Sequence, residues 1–214
     1  MKKDKYYAPG EERFNVLSHG IGFLLSIVAL YLLVVRSWPM GDPLHMSSVV
    51  VFGLSLMVLY AASTLYHSAK GEKLRSRLKI FDHVAIYFLI AGSYTPFALI
   101  TLPEDVGWII FVIIWSCALV GSLIKLFFTG KYDLISTIMY VLMGWIIIFA
   151  IRPLTENLPF EGIQWLVAGG IAYTLGAVLY SLHKLKYNHA IFHVFVLVGS
   201  FCHFITVFWF VVPR

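Results

Sequence analysis

The sequence predicts an all-α fold, a polytopic membrane protein of seven transmembrane helices, and three observations carry that prediction. The first is composition: of 214 residues, 60% are hydrophobic and 13% charged, where soluble domains carry roughly 25% charged residues. A single soluble core of this size cannot enclose that much apolar surface, so much of it must face lipid. The second is that apolar runs of about 20 residues, the length that crosses a bilayer core, recur seven times between short polar breaks. The third is that Lys and Arg gather in alternate breaks, the pattern that orients spanning chains.

In chain order the spans are read at 15–36, 44–68, 80–102, 107–128, 133–151, 162–183 and 187–212. The first break is made by Pro39, Gly41, Asp42 and Pro43, the third by Pro103 with Glu104 and Asp105, and the fifth by Pro153 to Pro159. The fifth span is the shortest and follows the Gly130 break closely. Pro96 should kink the third span, freeing backbone groups that Ser93 or Thr95 could satisfy. Gly169, Gly170, Ala172 and Gly176 allow close helix contact along the sixth. Trp38, Trp108, Trp165 and Trp209 fall near one set of span ends, where amphipathic rings settle at a membrane interface.

Charge gives the orientation. Lys2, Lys3, Lys5 and Arg13 precede the first span, and Lys70, Lys73, Arg75, Arg77 and Lys79 fill the second loop. Lys125 and Lys131 flank the fourth loop and Lys184 and Lys186 the sixth, leaving Arg36, Arg152 and Arg214 for the other side. The N-terminus is therefore expected in the cytoplasm and the C-terminus outside. The organisation is read as one seven-helix domain over 1–214, with 1–14 a short retained cytoplasmic tail that lacks a signal-peptide cleavage pattern. The net charge of +5 belongs to these loops, so no nucleic-acid partner is expected. Cys117 and Cys202 both lie in apolar stretches and read as small buried hydrophobes, with neither a disulfide framework nor thiolate metal spacing.

Ionisable groups inside spans are expensive, so each is a functional candidate. The second span ends in S-x-x-x-H with Ser63 and His67; the third opens with Asp82 and His83. The seventh opens in H-x-x-x-H with His189 and His193, and the first carries Glu12, Asn15, Ser18 and His19. A spacing of four puts His189 and His193 on one helix face, where two imidazoles can meet one ion. The alternating direction of the spans brings these groups to one end of the bundle. At 1.5 Å per residue, His67, Asp82 and His189 lie roughly 5 Å below the cytoplasmic edge and His193 roughly 10 Å.

Three neutral imidazoles suit zinc and leave a fourth position open for water, the pattern of a catalytic site. Zinc in such a place acidifies water and polarises a carbonyl. Asp82 suits a base and Ser63 a hydrogen-bond donor to a developing oxyanion.

Plainer readings stand beside these. Two histidines at a helix end also occur as interfacial residues, Ser63 as a helix back-bonding serine, and Asp82, near Arg77 and Lys79, as a cap. Glu12, Asn15 and His19 read either as a helix start with its cap or as partners behind the ligands. His83 is expected to be a neighbour rather than a ligand. His203 is too deep for the same ion and reads as a satisfied interior histidine. His45 and His183 read as surface residues.

Together these motifs resemble the hemolysin III family. Its pattern covers essentially the whole chain, including Glu12-Arg13-Phe14-Asn15-Val16-Leu17-Ser18-His19. That family is similar to the adiponectin and progestin receptors and the alkaline ceramidases, grouped as the CREST superfamily of membrane hydrolases. The resemblance implies zinc on His67, His189 and His193, Asp82 reaching the metal through water, and Ser63 in the layer behind. The long N-terminal cytoplasmic region of the animal receptors has no counterpart in the sequence. A compact bacterial type in the plasma membrane is therefore implied, rather than a signalling receptor.

The expected function is a zinc-dependent, ceramidase-like hydrolase of a membrane-lipid amide or ester, since the site lies just under the headgroups. Its partners are then the bilayer and a membrane lipid as substrate or ligand, with no protein partner evident. The alternative is a non-enzymatic membrane protein, a cytolysin or receptor-like regulator of membrane state. A transporter fits least, because no inverted repeat is apparent and the polar groups lie to one side of the midplane.

Overall fold

In a computed structural model, residues 6–182 and 184–212 are described, the side chain of Asp133 excepted. The readings placed on Lys2, Lys3, Lys5, His183 and Arg214 lie outside the described residues. Among the described residues every regular element is helical. Seven of the resulting helical segments are long and apolar enough to cross a membrane, in the order predicted.

Helix α1 covers Pro9–Ser37 and ends in a 3-10 turn, Trp38–Met40. It starts six residues before the predicted boundary at 15, so the last part of the expected tail is helical. Pro9 stands at the helix start, where its fixed φ suits the first turn. Glu11 and Glu12 in that turn complement the positive end of the helix dipole. Helix α2, Pro43–Ser68, is capped by Asp42, which accepts from the Leu44 N–H at 2.8 Å.

Helix α3, Glu72–Pro96, also begins earlier than predicted. The basic residues Lys73, Arg75, Arg77 and Lys79 therefore stand on its first two turns, not in a loop. Past Pro96 the segment continues through a π turn, Phe97–Thr101. Ser93 and Thr95 donate to the carbonyls of Ile90 and Ala91 at 2.9 and 2.8 Å. The carbonyl that loses its partner to a proline four residues on is that of Gly92, so the predicted rescue by these two side chains is not the one made.

Helix α4 runs over Glu104–Phe128. The predicted fifth span is interrupted: α5, Asp133–Gly144, passes through a 3-10 stretch, Ile146–Ala150, into α6, Ile151–Asn157. Pro153, expected in the fifth break, sits instead in the first turn of α6, where no N–H is needed of it. Helix α7 covers Phe160–Ser181, and α8 covers Asn188–Thr206 with a final π turn, Val207–Val211.

The pairs α1–α2, α2–α3 and α7–α8 make the most extensive contacts. The predicted small-residue face of the sixth span lies in the last of these. An ideal Cβ on Gly176 would stand 2.7 Å from the Phe195 Cβ, and one on Gly169 would run into the His203 ring. Gly170 looks the other way, 3.4 Å from Trp145 by the same construction. On the outside, apolar side chains such as Phe127, Phe149 and Phe160 stand exposed, as on a surface solvated by lipid. Cys202 is buried and Cys117 half-buried, both as free thiols.

Candidate metal centre

The last turn of α2 delivers His67, and the first two turns of α8 deliver His189 and His193. His67 Nε2 lies 3.0 Å from His189 Nε2, and His193 Nε2 lies 3.1 Å from the same atom. One ligand atom of each histidine falls within 4.8 Å of the others. A tetrahedral ion held about 2.0–2.1 Å from each nitrogen would space them by roughly 3.3 Å.

The opposite faces of two rings fix their protons. The Glu12 carboxylate accepts from His67 Nδ1 at 2.7 Å. Ser18 Oγ donates to the Asn15 carbonyl at 3.2 Å and lies 3.4 Å from His193 Nδ1, whose N–H it can accept. With protons on both Nδ1 atoms, two Nε2 lone pairs converge on a third Nε2 that can carry at most one proton. Converging lone pairs of this kind fit a cation, and the donor set fits zinc.

Around this triad the sequence candidates separate. His19 is buried and stacks on His193, ring centroids 3.5 Å apart, with its edge toward Tyr60. Asn15 is fully buried, its amide 3.5 Å from His67 Nδ1. The cap reading of Glu12, Asn15 and His19 is overturned, because α1 starts at Pro9 after Ala8 with no side-chain cap. Asp82 is not among the close ligand atoms. It is buried in the third turn of α3, with Oδ2 3.9 Å from His83 Nδ1, and its cap reading fails because Gly71 caps that helix. His83 Nδ1 donates to the Lys79 carbonyl at 2.8 Å and lies outside the ligand group.

Ser63 departs from its back-bonding reading. Ser55, Thr64 and Ser68 on the same helix each donate to a carbonyl of their own helix at 2.7 Å. Ser63 Oγ, more deeply buried than any of these, meets no hydrogen-bond partner.

Ser63, His19, Asp82, His189 and His193 all line one cavity of about 190 Å³. It extends from the histidines between α2, α3, α4, α5, α7 and α8 toward Leu154, Ile163 and His203, with a mostly apolar wall. His203 stands in that deeper part, edge-on to Tyr173 and Phe97. It is interior as expected, and its ring nitrogens meet no hydrogen bond of good geometry. His45 is half-buried beside Asp42, with which it pairs.

Sequence reasoning missed several neighbours. Arg75, assigned to a loop, is 1% exposed and pairs with Glu12. Its signal was present: Gly71 and Glu72 mark a helix start before it. Lys125, also assigned to a loop flank, is buried in the last turn of α4 and lines the cavity. Tyr7, just ahead of α1, stacks on His189 with ring centroids 4.7 Å apart. Burial pushes its hydroxyl up, and the Tyr180 and Tyr66 hydroxyls and the Asp82 carboxylate add to the effect, so it stays protonated.

The chain matches the family model described as haemolysin-III related over residues 7–204. It is 46% identical over 203 residues to "Hemolysin-3" of Bacillus cereus, covering 95% of this chain and 93% of that protein. It is 44% identical to the "Hemolysin-3 homolog" of Bacillus subtilis (strain 168), covering 94% and 95%. A more distant likeness, 27% identity over 72% of this chain and 66% of the relative, is to the human "Monocyte to macrophage differentiation factor".

Proposed function

The chain belongs to the haemolysin-III-related family, and on that premise we propose that it is a zinc-dependent hydrolase of a membrane-lipid amide or ester. As a multi-pass protein of a bacterial cell membrane, it meets such a substrate in its own solvent. The observation that carries the proposal is the convergence of three histidine Nε2 atoms at 3.0 and 3.1 Å, two of them, on His189 and His193, in the wall of a mostly apolar cavity. The basic residues before the first span and around the second, fourth and sixth breaks favour an N-terminus in the cytoplasm, and on that orientation the histidines lie toward the inner leaflet.

Zinc bound by His67, His189 and His193 would acidify water and polarise the scissile carbonyl. The chain's own groups do the rest. Glu12 and Ser18 hold two of the imidazoles in the tautomer that turns Nε2 inward. Ser63 Oγ, without a protein partner, donates to the carbonyl oxygen as charge develops there. Asp82, on the same cavity wall, takes the proton of the attacking water and returns it to the leaving nitrogen or oxygen. The apolar stretch toward Leu154 and Ile163 houses an acyl chain and keeps bulk water from the reacting bond.

The test is release of fatty acid from N-acyl and O-acyl lipids in mixed micelles by zinc-loaded protein, beside His193→Ala. Turnover should vanish in the variant; turnover by metal-free protein would contradict the proposal. The names of the bacterial relatives favour a second reading, a non-enzymatic cytolysin. That reading requires the purified protein to permeabilise liposomes whether or not the histidines are intact.

A further inference from the structure

We infer that Arg75 is a positioning residue for the metal centre, joining the orientation of His67 to closure of the N-terminal segment over the site; the inference rests on the metal reading above and deepens it. Arg75 lies in the first turn of α3 and is, among the described residues, the most enclosed Lys or Arg. One arm of its guanidinium, Nη2, pairs with Glu12 Oε1, while Oε2 of that carboxylate accepts from His67 Nδ1 at 2.7 Å. The other arm, Nη1, donates to the carbonyls of Tyr66 and Ala69 at 3.2 and 3.4 Å, on either side of His67 in sequence. The same cation lies against the Tyr66 ring at 4.5 Å and the Tyr6 ring at 4.3 Å.

Tyr6 and Tyr7 belong to a short non-helical strap, residues 6–8, ahead of α1. The Tyr6 hydroxyl donates to the Lys70 carbonyl at 3.0 Å, and the Tyr7 N–H donates to Glu12 Oε1 at 3.2 Å. So fastened, the Tyr7 ring covers His189. Glu12 is thus shared between a ligand histidine, the strap and Arg75, and the planar fork of the guanidinium holds all three in register. Uncovering His189 on this side breaks the Tyr6 stacking on Arg75 and the Tyr7 bond to Glu12. Without Arg75, the carboxylate that orients His67 loses its counter-charge and its fixed position.

The experiment follows transfer of zinc from the zinc-loaded full chain in detergent to an excess of a chromogenic chelator, with helicity and thermal midpoint recorded for each variant. Arg75→Gln should release zinc faster, by about 10–100-fold where the affinity lost with a partner behind a metal ligand falls on dissociation. Arg75→Lys, which keeps the charge but not the fork, should fall between. Tyr6→Ala, which leaves Arg75, Glu12 and His67 in place, should also release faster while still taking up about one zinc per chain. An Arg75 that merely stabilises the fold would lower the thermal midpoint and leave the release rate alone. Folded Arg75→Gln releasing zinc at the wild-type rate overturns the inference; if that variant does not fold, a wild-type rate in Tyr6→Ala overturns it. Wild-type protein that takes up no zinc overturns the metal reading and this inference together, whereas unchanged rates in a zinc-loaded series overturn this inference alone.

Discussion

Replacing Ser63 with alanine separates a serine that works on a ligand from one that serves its helix. The Ser63 hydroxyl is buried, and its oxygen meets no partner. A buried hydroxyl left unpaired is unfavourable by about 1–3 kcal/mol, and alanine also suits a helix interior better by a few tenths. Deleting one oxygen leaves a void smaller than a methyl group, which offsets part of that gain. The net expectation is a stabilisation of about 1 kcal/mol, or a rise of roughly 2–4 °C in thermal midpoint for a chain of this size. Hydrolysis should move the opposite way, with kcat falling about 10²–10³-fold for the loss of one donor to the developing oxyanion. The assay is thermal unfolding of zinc-loaded protein in detergent, beside turnover of the lipid that proves to be the substrate. A variant destabilised by about 1 kcal/mol or more would show that Ser63 bonds within the fold. A stable variant with wild-type turnover would remove Ser63 from the reaction.

Asp82→Asn should keep about one zinc per chain, because its carboxylate is not among the close ligand atoms, yet lower kcat by about 10²–10⁴-fold; loss of the metal in this variant would contradict its assignment as the base. Gly176→Val should push α8 from α7, since its Cβ would stand 2.7 Å from the Phe195 Cβ, and lower stability by about 1–3 kcal/mol in detergent unfolding. The Asp42 carboxyl is held below the usual range, first by the Leu44 N–H and then by His45. A carboxylate lowered in this way stabilises the α2 start above its unfolded pKa and loses that effect as pH falls through the lowered value. The protection of the Leu44 amide, its exchange rate set against the unstructured rate at the same pH, should therefore fall on acidification in the wild type, and Asp42→Ala should show that low protection already at neutral pH.

The spans and the triad were legible because both follow from periodicity and length. Seven apolar runs give seven crossings, and alternating direction brings His67 and His189 to the same end although 122 residues separate them. The H-x-x-x-H spacing put His189 and His193 on one face for the same geometric reason. What was not legible was the neighbourhood of Glu12. A dense run of basic residues from Lys70 to Lys79 reads as a loop by charge, whereas the chain builds the start of α3 from it and buries Arg75 against Glu12 and two tyrosines. Charge density reports solvation only when no partner is in reach, and the partner lies 63 residues away. The start of α1 was readable from Pro9, Glu11 and Glu12, but the apolar run alone pointed to 15. The break in the fifth span was hidden, since Ile146–Ala150 is as apolar as the helices beside it. Ser63 shows the limit most plainly: spacing puts it one turn before His67, and only the structure shows that its oxygen is left without a bond.

The most direct test of the metal centre is the zinc content, by elemental analysis, of detergent-purified wild-type protein beside His193→Ala. The arrangement of His67, His189 and His193 predicts about one zinc per wild-type chain and loss of it in the variant. A well-folded wild-type protein without zinc would contradict the account and leave three histidines packed together for another reason.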